Sequence, residues 1–156
     1  MVVIPLETDH LDGIAELEAA LFERPFTAMS LASLFAGKAF AGYALIDDRA
    51  EAGTADSGHI LSYILLSQVP DEAEILSLGT RHTHQVKGYG RQLLTASCAA
   101  LAQAGIGHLY LDVAESNVAA RALYGGCGFV ETGRRAAYYG VAPHRQDAII
   151  MSKALK

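Results

Sequence analysis

The spacing of apolar and polar positions changes several times along the chain, and each change marks an element. MVVIPL is a nearly continuous apolar run and reads as an opening strand. From Thr8 to Phe22, Leu11, Ile14, Leu17 and Leu21 recur at helical spacing, with Thr8 or Asp9 as N-cap. ERPFT breaks that pattern, and Thr27 is placed to cap a second, short helix carrying Leu31, Leu34 and Phe35 and ended by Gly37. Three strand-like runs follow: AFAGYALI, HILSYILLSQV and AEILSLGT, joined by the polar DDRAEAGTADSG and by PDEA. The spacing then predicts a helix from Arg91 to Ala104, with Leu94, Cys98 and Leu101 on one stripe and Gly105 as its stop. HLYLDVA reads as a strand, SNVAARALY as a short helix ended by Gly125 and Gly126, and GFVETGRRAAYY and DAIIMSKAL as two closing strands. No internal repeat or linker interrupts the order β-α-α-β-β-β-α-β-α-β-β, which predicts one mixed α/β domain over residues 1–156.

Composition narrows the classes. At 156 residues, 51% of them hydrophobic, the chain is long enough to bury a core and too apolar to be disordered. No apolar run reaches the length of a membrane span, and the start lacks a basic segment followed by a long apolar stretch. The expectation is a cytoplasmic protein without signal peptide or membrane anchor. A net charge of −5 argues against nucleic acid as a partner, which calls for a basic face. Cys98 and Cys127 are the two cysteines, expected as free thiols, with Cys98 on the apolar stripe and therefore core. His82 and His84 flank Thr83 in a polar loop with no third ligand at useful spacing, so no metal site is expected.

The densest chemistry lies in QVKGYG, residues 85–90, directly ahead of a helix. Gly88 and Gly90 let the backbone turn so that several N–H groups point one way. They join the unpaired amides and positive dipole end of the helix, a suitable place for phosphate oxygens, with Lys87 and Arg91 at the rim. The run is not a Walker loop, because no lysine–hydroxyl pair follows the second glycine. It is not a dinucleotide fingerprint either, because Leu93 stands where a third glycine is required. Taken alone, two glycines fit a plain loop equally well. QVKGYG, however, resembles the Q/R-x-x-G-x-G/A signature of the GNAT acetyltransferases. AEILSLGT and LYLDVAESNVAARALYGGCGF resemble that family's fourth strand and its strand–helix core.

The resemblance implies a GNAT fold, a mixed and mostly antiparallel twisted sheet flanked by helices, and transfer of acetyl from acetyl-CoA to an amine by direct attack, without an acyl-enzyme. Within the family, PFT, SNVAARALY, GRRAAYY and QDAIIM are most similar to enzymes that acetylate the N-terminal alanine of a small-subunit ribosomal protein, so a protein N-terminus is the implied acceptor. An acetyltransferase for a small amine or a lysine side chain, and a non-catalytic acyl-CoA-binding module, are the alternatives. The cofactor residues implied are Leu78, Gly79, Thr80, Val86, Lys87, Gly88, Tyr89, Gly90, Arg91 and Asn117. Gly79, where a small apolar residue is usual, is read as allowing close approach of the cofactor.

The reaction needs the thioester held, the amine deprotonated, the oxyanion stabilised and the leaving thiolate protonated. Tyr124 is the implied acid; it lies seven positions from Asn117, nearly two helical turns on, and so on the same face. Asp112 stands where the similar enzymes carry a glutamate base, and Glu74, on the strand ahead of the glycine turn, is the second candidate base. Glu23 and Phe26 on one side, and Tyr138 and Tyr139 on the other, form the implied acceptor walls, with Glu23 or Glu115 available to pair with a basic second residue.

Overall fold

The computed structural model describes residues 1–49 and 59–156, and its elements follow the expected order. β1 (Val2–Pro5) leads through a 3-10 turn (Thr8–His10) into α1 (Leu11–Leu21) and α2 (Ala28–Ala36). β2 (Phe40–Ile46), β3 (Ile60–Val69) and β4 (Glu72–Thr80) follow. A second 3-10 turn (His82–His84) precedes α3 (Tyr89–Gln103), then β5 (His108–Ala114), α4 (Val118–Gly126), β6 (Val130–Tyr139) and β7 (Gln146–Ala154). Residues 50–58 of the polar DDRAEAGTADSG connection lie outside the described residues.

Local chemistry sets several boundaries. Thr27 caps α2 as expected: its Oγ1 accepts from the Ser30 N–H at 3.1 Å, and the Ser30 hydroxyl oxygen accepts from the Thr27 N–H at 2.7 Å, a reciprocal box. α1 starts later than the sequence suggested, because Thr8–His10 form a tighter turn of their own; Nδ1 of His10 accepts from the Glu7 N–H at 2.9 Å. α3 starts earlier, at Tyr89 rather than Arg91. Gly88 takes the cap position with φ +81°, a left-handed conformation that glycine adopts without steric cost, and Gly90 is already helical.

The seven strands form one sheet in the order β1-β2-β3-β4-β5-β7-β6. All neighbours are antiparallel except β4 and β5, which are parallel and need the α3 crossover between them. β3 is buried on both faces, which explains why Tyr63 to Leu66 are apolar without alternation. Its Tyr63 and Leu65 pack with Ile14, Leu17 and Leu31 of α1 and α2; its Ile64 and Leu66 pack on the opposite face with Leu93, Leu94, Cys98 and Leu101 of α3. Cys98 is thus core, and both it and Cys127 are free thiols.

One irregularity opens the sheet. β4 pairs with β5 only from Glu72↔His108 to Ile75↔Leu111. Against β3, Leu65 pairs with Ser77 and Leu66 with Ile75, so Leu76 is an extra residue bulging from β4. A bulge bends its strand, and past it β4 and β5 part.

Candidate active site

Two clefts meet in this opening and share Phe22, Leu78 and Ala120 in their walls. The smaller, about 440 Å³, lies between the end of β4, the glycine turn and the start of α4, and is lined by Leu78, Gly79, Thr80, Val86, Gly88, Tyr89, Gly90 and Arg91 among others. The first N–H groups of α3 face this region without intrahelical partners, since Gln92 is the first residue of the helix to donate back, to the Gly88 carbonyl at 3.0 Å. Val86 and Gly88 both have left-handed backbones, φ +61° and +81°. For a β-branched residue that conformation costs about 1–2 kcal/mol, strain of the kind concentrated where backbone groups must face a ligand. A Cβ built on Gly90 would meet Thr80 Oγ1 at 3.4 Å and Leu123 Cδ2 at 3.6 Å, ordinary contacts. Nothing in the fold forbids a side chain there; what its absence leaves is a bare amide on the cleft floor. Unpaired helix amides around a bare glycine fit the pyrophosphate of acetyl-CoA. Lys87 is exposed and outside the cleft lining, while Arg91 extends over Gly126.

Gly79 has a reason within the sheet as well. A Cβ there would lie 2.7 Å from the Tyr63 hydroxyl and 2.8 Å from its ring. The glycine accommodates its cross-strand partner Tyr63.

The larger cleft, about 790 Å³, is bounded by Glu18, Phe22, Glu23, Arg24 and Phe26 on the α1–α2 side. β4 contributes Ile75 to Leu78, β5 Leu111 to Ala114, and the far wall Asn117, Tyr124 and Tyr139. Tyr124, 7% exposed, packs edge-on against Phe129 with ring centroids 5.5 Å apart. Burial pushes its phenol well above the ordinary range, so it stays protonated. Among the described residues no side-chain oxygen is both buried and unpartnered, and no protein group bonds this hydroxyl; it therefore opens on the cleft. Asn117 caps α4, its Oδ1 accepting from the Ala120 N–H at 3.2 Å, and it lines the same cleft as Tyr124.

The structure separates the two candidate bases. Asp112 lines the cleft, its side chain 16% exposed, with Arg135 Nε 3.7 Å from its carboxylate. Glu74 is exposed, sits on the still-paired part of β4 opposite Tyr110, and is outside both cleft linings. The two tyrosines of β6 also separate. Tyr139 lines the cleft, its phenol pushed up to about 12 by burial first and then by the charge of Asp112. Tyr138 is 52% exposed, outside the lining, and lies under the Arg135 guanidinium at 5.4 Å. Glu115 is held by Arg134 at 2.9 Å on the surface, whereas Glu23 lines the cleft. His82 Nε2 lies 3.0 Å from the Ala20 carbonyl oxygen, tying the second 3-10 turn to α1.

Sequence reasoning missed Arg135 and, more consequentially, Glu18. Glu18 stands on the buried stripe of α1, four residues after Ile14 and three before Leu21. A carboxylate at that spacing among apolar positions was the available signal.

Both clefts lie at a parting of parallel strands, and the chain belongs to the acetyltransferase (GNAT) family, whose sequence model it matches over residues 12–129. It is an acetyl-CoA-dependent N-acetyltransferase. The [ribosomal protein bS18]-alanine N-acetyltransferase of Escherichia coli K12 is 31% identical over 147 residues, covering 94% of this chain and 93% of that one. The crystal structure of the ribosomal-protein-S18-alanine N-acetyltransferase from Escherichia coli superposes with a TM-score of 0.87 at 29% identity, over 99% of this chain and 94% of that one. Arabidopsis thaliana NAA60 in complex with acetyl-CoA shares the fold, with a TM-score of 0.83 at 16% identity over 98% of this chain and 97% of that one.

Proposed function

We propose that the protein acetylates the N-terminal alanine of ribosomal protein bS18 in the cytoplasm. The observation that carries the reading is the junction of the two clefts. A phosphate-type cradle enters from one side and a peptide-sized opening from the other, and the Tyr124 hydroxyl and Asp112 carboxylate both face the latter. Similarity to the bS18-alanine enzymes over nearly the whole chain supports this acceptor.

Acetyl-CoA supplies the acetyl group as a thioester. The first-turn amides of α3 with Gly88 and Gly90 hold its pyrophosphate, and the edge of β4 at Leu78–Thr80, released from β5, offers backbone groups to its pantetheine arm. Asp112, directly or through one water, takes the proton from the acceptor ammonium. An N-terminal amine has a pKa of about 8, so a carboxylate one methylene shorter than glutamate suffices at neutral pH. As nitrogen bonds to the acetyl carbon and the carbon–sulfur bond breaks, Tyr124 gives its proton to the leaving sulfur, and the second proton of the nitrogen passes through water to the Tyr124 phenolate, leaving the neutral amide.

Mass spectrometry of a peptide copying the bS18 N-terminus, incubated with enzyme and acetyl-CoA, tests the reading. A matched peptide with a blocked α-amine and free lysines runs beside it. One acetyl on the free α-amine and none on the control is expected. Acetylation of both peptides contradicts the reading in favour of lysines, and acetylation of neither contradicts the assigned acceptor.

A further inference from the structure

Glu18 is the one buried carboxylate among the described residues, 1% exposed, and the reaction above does not use it. Its two oxygens gather donors from three separate segments. Oε1 accepts from the Phe26 N–H at 3.1 Å; Oε2 accepts from the Ser77 hydroxyl at 2.8 Å and from the Tyr63 hydroxyl. Phe26 belongs to the loop that walls the larger cleft. Ser77 follows the bulged Leu76 where β4 leaves β5, and Tyr63 is the β3 residue packed over Gly79. None of the three lines the glycine cleft.

An apolar side chain of similar volume would fill this position without the desolvation cost of a carboxylate. What only an acceptor can do is join a loop N–H and two hydroxyls at one point. We infer that Glu18 is a positioning residue for the acceptor: it clasps the loop of residues 22–27 to the splayed end of β4 and so sets the width of the acceptor cleft. The inference rests on the larger cleft being the acceptor site. Its consequence is a separation of effects: peptide affinity depends on the clasp, while the β4 edge at Leu78–Thr80 stays laddered to β3 and the cradle of α3 and the acid Tyr124 do not depend on it.

Steady-state kinetics with the free α-amine peptide and titration with acetyl-CoA, on wild type, E18A, E18Q and S77A, test it. E18A is expected to raise the peptide KM about tenfold or more while kcat and the acetyl-CoA Kd stay within about twofold. E18Q restores most of the loss, because its amide oxygen can accept from the Phe26 N–H while both hydroxyls rotate to accept from its NH₂. S77A, which keeps the Phe26 anchor, raises KM less. An unchanged KM in E18A, an E18Q no better than E18A, or a joint loss of kcat, KM and Kd overturns the clasp. If E18A does not fold, S77A decides: raised KM at unchanged Kd supports the clasp and unchanged KM overturns it. Wild-type enzyme that leaves the peptide unmodified contradicts the acceptor reading itself, whatever the variants do.

Discussion

Gly79 and Gly90 both line the smaller cleft, but they are glycines for opposite reasons. A side chain at Gly79 collides with the Tyr63 ring, which the Glu18 hydrogen bond pins in place. G79A should therefore destabilise the fold by about 1–3 kcal/mol in urea unfolding, as overpacking of a buried site does. The pair Asp112 and Glu74 divides just as cleanly, because only Asp112 reaches the cleft. D112N should lower kcat about tenfold or more, and E74Q should leave it within about twofold, in the peptide assay. With the Tyr124 phenol held above its ordinary value, kcat for the peptide should show no alkaline fall up to about pH 10. An alkaline fall within that range would contradict Tyr124 as the acid. At this scale the sequence exposed residues whose role follows from local pattern, such as Thr27 at its cap. Tyr138 and Tyr139 were not separable: the register shift of β6 between Arg135 and Tyr139 decides which of them faces the cleft, and it depends on pairing with β7.

At the scale of elements, the glycine turn was legible because its chemistry is contained in one loop and one helix end. The helix starts at Tyr89, so Gly90 belongs to the first turn of α3 rather than to the loop before it. That placement makes a prediction opposite to the one for Gly79. G90A adds a methyl group that meets only ordinary contacts and replaces a helical glycine, so stability should hold or rise by up to about 1 kcal/mol. Acetyl-CoA affinity, read by titration, should nevertheless fall, because the methyl group covers the bare amide. Equal affinity in G90A and wild type would contradict the cradle. The β4 bulge at Leu76 left no trace in the apolar pattern of AEILSLGT; it shows only in the register against β3. The Glu18 clasp was hidden for the same reason, since its donors come from positions 8, 45 and 59 residues away.

The whole molecule is a sheet whose two halves, β1–β4 and β5–β7–β6, are laddered together over only four residue pairs before they separate. The element order and the mixed α/β class were readable because each helix and strand carries its own period. The parting of the halves was not, because it arises from contacts between strands distant in sequence. A ligand seated in the parting touches both halves, so saturating acetyl-CoA should raise Tm, by a stabilisation of about 2.7 kcal/mol at a hundredfold excess over Kd. We place the chemistry at the Tyr124 hydroxyl, in the larger cleft beside its junction with the cradle. The most direct measurement is the turnover of Y124F on the free α-amine peptide, taken with its acetyl-CoA Kd. Turnover reduced about a hundredfold with Kd unchanged is the predicted result; turnover equal to wild type would contradict it.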